Sequence, residues 1–155
     1  MSNKDINVDI NGVIVSVRSC GIIYNDDKVL LHKKEYDDFY ALVGGRVKAN
    51  ESTVIAVKRE FYEELNINVD IINLLYCVEN FFEYGGKKHH ELMFVYLLKT
   101  DDIIPSGSFI KDENFFCWVD KNEFNSIKIK PDIFANWEEL FSLKSKHIIN
   151  IERVK

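Results

Sequence analysis

GRVKANESTVIAVKREFYEELNI, residues 45–67, is the segment from which the architecture of this chain can be inferred. From Ser52 onward its apolar residues recur at helical spacing, about 100° apart per residue. Four of them share one face that should pack on a sheet: Val54, Val57, Phe61 and Leu65. Ser52 is a suitable N-cap, and Asn66 tolerates the left-handed conformation that ends a helix. The segment predicts a loop followed by an amphipathic helix.

A stripe of carboxylates lies beside that apolar face. Glu60, Glu63 and Glu64 fall together, with the small Ala56 among them. Like charges at these spacings repel by a few tenths of a kcal/mol per pair, and Glu63 and Glu64 also occupy the negative end of the helix dipole. A solvated acidic face is the alternative, but a hard divalent cation bound by oxygen ligands explains the arrangement better.

A longer pattern, G-x5-E-x7-R-E-x-x-E-E, favours the cation. Six residues meet every spacing of this pattern: Gly45, Glu51, Arg59, Glu60, Glu63 and Glu64. The segment therefore resembles the Nudix box, with Phe61 and Ile67 at its apolar positions. Asn66 replaces the glycine usual after the helix, and Val43 replaces a frequent proline. Neither departure removes a ligand.

The resemblance implies roles for the box residues. Glu60, Glu63 and Glu64, assisted by the backbone carbonyl of Gly45, would bind one or more Mg²⁺ or Mn²⁺ ions. Glu60 and Glu64 would take part in catalysis, with Glu60 or a carboxylate outside the box orienting or deprotonating the attacking water. Arg59 would pair with Glu51 or Glu60 and hold the loop against the helix.

Charged residues outside the box are weaker candidates. Glu91 alternates in phase with inward-facing strand residues, so it is either the extra acidic ligand or catalytic base outside the box that the resemblance implies, or a residue at a fraying strand end. Glu79 has similar phasing. Arg18, within an apolar strand, and Arg46, beside the glycines, are candidates for binding substrate phosphates.

Histidines and aromatic residues are open to two interpretations. His89 and His90 follow the predicted turn at Gly85 and Gly86, where exposure at a hairpin is the favoured interpretation. Four aromatic residues are candidates for stacking on a base, although core packing is the more common use of such residues: Phe81, Phe82, Tyr84 and Trp118.

The order of the segments predicts an α+β fold, a single domain over residues 1–155 similar to the Nudix α/β/α sandwich with a mixed central sheet. Strands are expected at residues 12–24, 28–32, 39–43, 68–82, 91–98 and 115–119. The box helix lies between the third and fourth strands. A C-terminal helix is expected at residues 132–143, after Pro131.

Composition limits the classes of partner. The net charge of −5 provides no basic field for nucleic acid or an anionic membrane. The N-terminus lacks the apolar stretch of a signal peptide, and no run approaches the roughly 20 apolar residues of a membrane span. Three widely spaced cysteines, Cys20, Cys77 and Cys117, fit free thiols in a reducing compartment. We therefore expect a cytoplasmic protein.

The function implied by the resemblance is hydrolysis of a diphosphate linkage in a small nucleotide-like molecule. The substrate could be a nucleoside triphosphate, a nucleotide sugar such as ADP-ribose, or a dinucleotide. The main alternative is a catalytically inactive Nudix-fold domain that senses or regulates, although no box carboxylate is missing. A Nudix-fold isomerase is a third hypothesis, and a homodimer is possible.

Overall fold

The computed structural model describes residues 3–134, 136–140 and 144–152. Within these ranges strands predominate, and one helix is longer than a single turn. The elements in chain order are β1 (Asn7–Ile10), β2 (Val13–Ile22), β3 (Tyr24–Asn25), β4 (Lys28–Lys34), β5 (Ala41–Arg46), α1 (Thr53–Leu65), β6 (Asp70–Tyr84), β7 (Lys87–Lys99), β8 (Ser108–Lys111), β9 (Asn114–Asp120), 3-10 turns at Phe124–Ser126 and Asp132–Phe134, α2 (Trp137–Leu140) and β10 (Lys146–Ile151).

The described strands form one mixed sheet in the order β10-β6-β7-β2-β5-β4-β9-β8. β1 extends it beside β2, and β3 beside β4. β2 runs parallel to β7, and β10 runs parallel to β6. The other pairs are antiparallel. This arrangement confirms the predicted α+β class with a mixed central sheet.

Helix α1 covers one face of this sheet, which we call the helix face. On β2, the Ser19 hydroxyl donates a hydrogen bond to the Thr53 carbonyl at 2.8 Å, and a Cβ on Gly21 would overlap Leu98 and touch Phe61. Because strand side chains alternate between faces, Arg18 and Cys20 point to the other side, which we call the opposite face. A separate buried cluster that includes Cys20 lies there.

The predicted ends and apolar face of α1 are confirmed. The Ser52 side chain accepts a hydrogen bond from the Ile55 N–H at 3.1 Å, and Asn66 adopts φ 55° and ψ 38°. Val57 and Phe61 are fully buried against the sheet. Truncation of a buried phenylalanine costs about 3–5 kcal/mol, so Phe61 anchors the helix and fixes where its carboxylates lie.

Apart from the two-residue β3, three strands were not predicted: β1, β8 and β10. All four residues of β1 are exposed, and β10 alternates between exposed and half-buried positions. β10 also pairs with β6, about 70 positions earlier in the chain, with His147 opposite Cys77 and Asn150 opposite Asn80. Short edge strands whose partners are distant in sequence carry little local signal.

The single C-terminal helix predicted at residues 132–143 is wrong for the described residues. A 3-10 turn at Asp132–Phe134 and the one-turn α2 replace it, and residues 135 and 141–143 lie outside the described part. Asn136 explains the division, because its side chain accepts a hydrogen bond from the Glu138 N–H at 2.9 Å and so begins a new helix. Phe134 and Leu140 anchor the two pieces in the core.

Strand β5 begins and ends later than predicted, and it includes both glycines. Gly44 and Gly45 pair with Cys20 and Ser19 of β2, and a Cβ on Gly44 would overlap the β2 backbone. The strands therefore approach closely here because the glycines have no side chains. No helix in the described part of the chain is long and apolar enough to cross a membrane.

Candidate active site

Three carboxylates lie on the last two turns of α1, and one of them, Glu60, lies against β5. Glu60 lies over Gly45 so closely that a Cβ on that glycine would overlap the Glu60 carboxylate. The side chain of Glu60 is 14% exposed, whereas that of Glu63 is 52% exposed. The sheet and the helix thus bring together the Gly45 backbone and the Glu60 carboxylate, two of the groups that the resemblance implies as metal ligands.

Arg59 connects the helix to the loop that precedes it. Its Nε and Nη2 donate to the two oxygens of Glu51 at 2.7 and 2.9 Å, and Nη2 also donates to the Arg46 carbonyl at 3.0 Å. Its Nη1 donates to Glu60 at 2.8 Å and to Glu63 at 3.2 Å. Hydrogen bonds from Arg59 hold the pKa of Glu51 below its usual range. Both pairs predicted as alternatives, with Glu51 and with Glu60, therefore exist together.

Glu64 is the carboxylate that the protein leaves unsatisfied. Its Oε2 is buried and has no hydrogen-bond partner among the described residues. Burial raises the pKa of Glu64 to about 7, and the negative charge of Glu60 acts in the same direction. Arg18 and Lys34 partly offset this increase. A buried carboxylate oxygen without a partner is costly unless a ligand satisfies it.

The three carboxylates of α1 are suitable ligands for a hard divalent cation, although Arg59 pairs with two of them, Glu60 and Glu63. Among the described residues, no three histidine, cysteine or acidic side chains are grouped closely enough to hold a metal ion as they stand. Such a cation nevertheless requires what these residues offer. All the donors are oxygens, Oε2 of Glu64 has no other partner among the described residues, and Gly45 has no side chain to keep the Glu60 carboxylate away from its backbone. The residues fit the metal that the box implies.

Two arginines lie side by side on the opposite face. Arg18 of β2 is directly opposite Arg46 of β5. The guanidinium of Arg18 makes one long hydrogen bond, 3.4 Å from Nη2 to the Gly44 carbonyl, and neither arginine has an acidic partner among the described residues. Like charges directly opposite in a sheet are unfavourable. An anion bound between them would reverse that effect.

Glu91 is buried on the same face as these arginines. It is 9% exposed, shares its face with Met93 and Val95, and lies opposite Ser16 of β2 and Asn80 of β6. The inward phasing predicted from the sequence is therefore observed. Glu79 points to the helix face instead, where its carboxylate contacts His147 at 2.8 Å.

The histidines and aromatics are divided between the two faces. His89 and His90 are half-buried strand residues, so their predicted exposure is wrong. They contact Phe82 and Phe81, with ring centroids 4.8 and 4.5 Å apart. Trp118 packs against the buried apolar cluster that contains Phe61, and its indole N–H donates to the Pro105 carbonyl at 3.0 Å.

The polar residues beside Glu91 were not predicted from the sequence. Ser16 and Asn80 are 2% and 5% exposed, and Asn150 donates to the Asn80 side chain at 2.8 Å. A polar residue in phase with buried Val78 was a usable signal for Asn80. No signal was available for Asn150, because its neighbours depend on the unpredicted pairing of β10 with β6.

A family model described as the NUDIX domain matches residues 15–140 of this chain. No functionally curated protein is detectably similar to it in sequence. Solved structures share the fold. A MutT NUDIX hydrolase from Burkholderia pseudomallei has a TM-score of 0.63 and 22% identity, over 81% of this chain and 98% of that chain.

Two further structures are similar at the level of the fold. A NUDIX hydrolase from Nitrosomonas europaea has a TM-score of 0.61 and 22% identity, over 88% of this chain and 79% of that chain. An ADP-ribose pyrophosphatase from Streptococcus suis has a TM-score of 0.56 and 13% identity, over 87% of this chain and 98% of that chain. At these identities the likeness concerns the fold alone.

Proposed function

This chain belongs to the Nudix family, and we propose that it hydrolyses the diphosphate linkage of a nucleoside diphosphate joined to another group. It is a hydrolase of that family, whose members act on small nucleotide-like substrates and use divalent metal ions. The joined group is a phosphate in a nucleoside triphosphate, a sugar in a compound such as ADP-ribose, or a second nucleotide. Mg²⁺ or Mn²⁺ is the proposed cofactor.

The box residues hold the cofactor in this proposal. Glu60, Glu63 and Glu64, with the carbonyl of Gly45, are its ligands, and Glu64 supplies the otherwise unpartnered Oε2. When bound, the cation neutralises diphosphate charge and lowers the pKa of water. Arg59 and Glu51 keep the loop after β5 and the helix at a fixed separation through their two short hydrogen bonds.

The protein mainly positions the reacting groups. Attack by water is in line with the bond that breaks, so the orientation of the water dominates the rate. Glu60 is held by Arg59 through Oε1, while its Oε2 has no partner among the described residues. Glu60 therefore orients the attacking water and accepts its proton at Oε2. Glu91 is the alternative base outside the box.

Arg18 and Arg46 bind the phosphate oxygens in this proposal. They lie opposite each other on adjacent strands, beside Gly45, and Arg18 is close enough to influence the pKa of Glu64. Guanidinium groups bind phosphate through paired N–H donors. The diphosphate would therefore lie beside the arginine pair, with Arg18 within electrostatic reach of Glu64 at the end of α1.

The single observation that carries the proposal is the buried Oε2 of Glu64, an acceptor left without a partner in a carboxylate cluster. The test measures product release from a panel of nucleoside triphosphates, nucleotide sugars and dinucleotides, with Mg²⁺, with Mn²⁺ and with chelator. We expect chelator-sensitive turnover of one class. Glu64→Gln should abolish it, whereas Glu138→Gln, at an exposed position of α2, should leave it unchanged.

Two results would contradict the proposal. Full activity of folded Glu64→Gln would remove Glu64 from the site. No turnover of any panel member by the folded, Mg²⁺-loaded protein would favour the sensing or regulatory alternative. The predicted homodimer and the expected lack of nucleic-acid or membrane partners stay predictions, which sedimentation and binding measurements can decide.

A further inference from the structure

A polar row crosses four adjacent strands on the opposite face. Ser16 of β2, Glu91 of β7, Asn80 of β6 and Asn150 of β10 are direct partners in the strand register. The first three are 2%, 9% and 5% exposed, and Met93 and Val78 flank them on the next row. Such a row in a largely apolar face is costly unless its groups are hydrogen-bonded.

Glu91 is the member of this polar row whose charged group has no partner. Its carboxylate makes no hydrogen bond or ion pair with any residue in the described ranges. Ser16 also lacks a side-chain partner there. Asn80 uses its carbonyl oxygen to accept from Asn150 at 2.8 Å, which leaves the two N–H donors of the Asn80 amide free. The row thus presents two carboxylate acceptors beside an amide donor.

We propose that the polar row binds the base of the nucleotide substrate, and that Glu91 selects a base with two adjacent N–H donors, as guanine has. This inference rests on the proposed function, since it assigns the remainder of the same substrate. Guanine presents an amino donor, an imino donor and a carbonyl acceptor in that order. The two donors match the oxygens of Glu91, and the acceptor matches the Asn80 amide.

Other bases satisfy this polar row less well. Adenine and cytosine each place one amino group next to a ring-nitrogen acceptor, so one oxygen of Glu91 stays unpaired. Uracil has one N–H between two carbonyls, which places an acceptor against the carboxylate. A buried group left unpaired weakens binding more than the hydrogen bond itself contributes. Guanine is therefore the preferred base.

Aromatic rings lie next to the polar row. Phe82 and His89 are two residues beyond Asn80 and Glu91, so they share the same face. Their rings are stacked at 4.8 Å with a 7° interplanar angle, and both residues are half-buried. Tyr84 meets His89 edge-on at 6.4 Å. Flat, partly exposed rings of this kind are surfaces on which a base packs.

The polar row also leads toward the phosphate site. Ser16 and Arg18 are two residues apart on β2 and point to the same face, and Arg46 follows on β5. From β7 to β5 the distance is two strand spacings, about 10 Å. A base over Glu91 thus places the ribose over β2 and the diphosphate beside the two arginines.

The test is calorimetric binding of nucleoside monophosphates, the base-bearing products, in chelator. GMP should bind at least tenfold more tightly than AMP, CMP or UMP. IMP, which lacks the 2-amino donor, should bind about tenfold more weakly than GMP, the loss of one hydrogen bond. This comparison uses the wild-type protein, so it does not depend on whether a variant folds.

A matched pair of variants isolates Glu91. Glu91→Gln should lower the ratio of GMP affinity to AMP affinity at least tenfold. Its affinity for AMP should stay within threefold of the wild-type value. Glu79→Gln, on the other face and next to Asn80 in sequence, should preserve the ratio. Equal affinity of the wild-type protein for GMP and AMP would overturn the inference, as would a Glu91→Gln ratio equal to that of the wild type.

Catalysis separates this inference from the proposed function. Base-selective binding without cation-dependent turnover would contradict the proposed function and support the binding of the base. Turnover with equal kcat/KM for all bases would support the proposed function and contradict the selection of the base by Glu91. A Glu91→Gln protein that loses kcat equally on every base, with unchanged monophosphate binding, would make Glu91 the general base and overturn the inference.

Discussion

Arg59 and Glu51 are joined by two hydrogen bonds, Nε to Oε2 at 2.7 Å and Nη2 to Oε1 at 2.9 Å, although eight residues separate them. Their side chains are only 18% and 10% exposed. The pair ties the loop after β5 to the second turn of α1. Glu51 also accepts from the Lys48 N–H at 3.1 Å, which fixes the loop backbone.

Breaking this pair should destabilise the protein and misplace the site. Glu51→Gln removes the charge of the carboxylate that Arg59 binds most tightly, and a hydrogen bond to a charged group contributes about 1.5–3 kcal/mol. We expect a lower denaturant midpoint and at least a tenfold loss of kcat. Urea unfolding and steady-state kinetics on the same samples measure both.

Arg59→Lys provides the companion test. An ammonium cannot reproduce the planar fork that reaches Glu51, Glu60 and the Arg46 carbonyl together. Loss of activity should therefore accompany Arg59→Lys even though the charge is kept. Wild-type activity in that variant would show that the charge of Arg59, and not its geometry, matters.

Glu64→Gln should stabilise the metal-free protein while it abolishes turnover. The buried Oε2 has no partner, so removal of the charge at pH 8 should relieve about 2 kcal/mol, or roughly 4–8 °C in Tm. Mg²⁺ should raise the Tm of the wild type but not of the variant, because only the wild type binds the ion tightly. Calorimetry with and without chelator measures this.

The outcome distinguishes a ligand from a packing residue. If Glu64→Gln lowers the Tm in chelator, the carboxylate has a structural partner. If Mg²⁺ raises the Tm of both proteins equally, the ion binds elsewhere.

The local parts of the fold were predictable from the sequence. Helix α1 depends on contacts three or four residues apart, so Ser52, Phe61 and the carboxylates could be placed from spacing alone. Alternation along one strand likewise placed Glu91 on an inward face. Both predictions use periodicities that do not depend on the rest of the chain.

Non-local contacts were not predictable. Asn150 joins the polar row only because β10 pairs with β6, and the register of that pair depends on how the whole sheet assembles. His89 and His90 were assigned to an exposed turn because glycines precede them, yet the turn is tight and β7 begins at Lys87. Sequence patterns give the period of an element but seldom its partner.

Asn66 offers a test of the one departure from the box that affects backbone geometry. It adopts φ 55°, and its N–H donates to the Tyr62 carbonyl at 2.9 Å. Asn66→Gly should keep full activity and stability, since glycine adopts this conformation without strain. Asn66→Ala should cost about 1 kcal/mol, because a Cβ disfavours the left-handed region. Equal stability of the two variants would show that the helix end has rearranged.

His32 should make the stability of the protein depend on pH. Burial, with smaller contributions from the charges of Arg18 and Lys34, lowers the pKa of His32 to about 3 from its ordinary value of 6.5. Its Nδ1 is buried without a partner among the described residues. Below pH 6.5 the unfolded chain therefore binds a proton that the folded chain excludes.

Above pH 6.5, His32 should consequently make no pH-dependent contribution to the free energy of unfolding. That free energy should fall by about 1.4 kcal/mol per pH unit as the pH decreases toward 3. His32→Gln removes the titrating group, so urea unfolding between pH 7.5 and 5.0 should show a shallower decrease for the variant. Parallel pH profiles for the two proteins would show that His32 is protonated in the folded state. The protein would then have to open locally and expose His32 to water beside Phe116, whose ring centroid is 5.7 Å from that of His32.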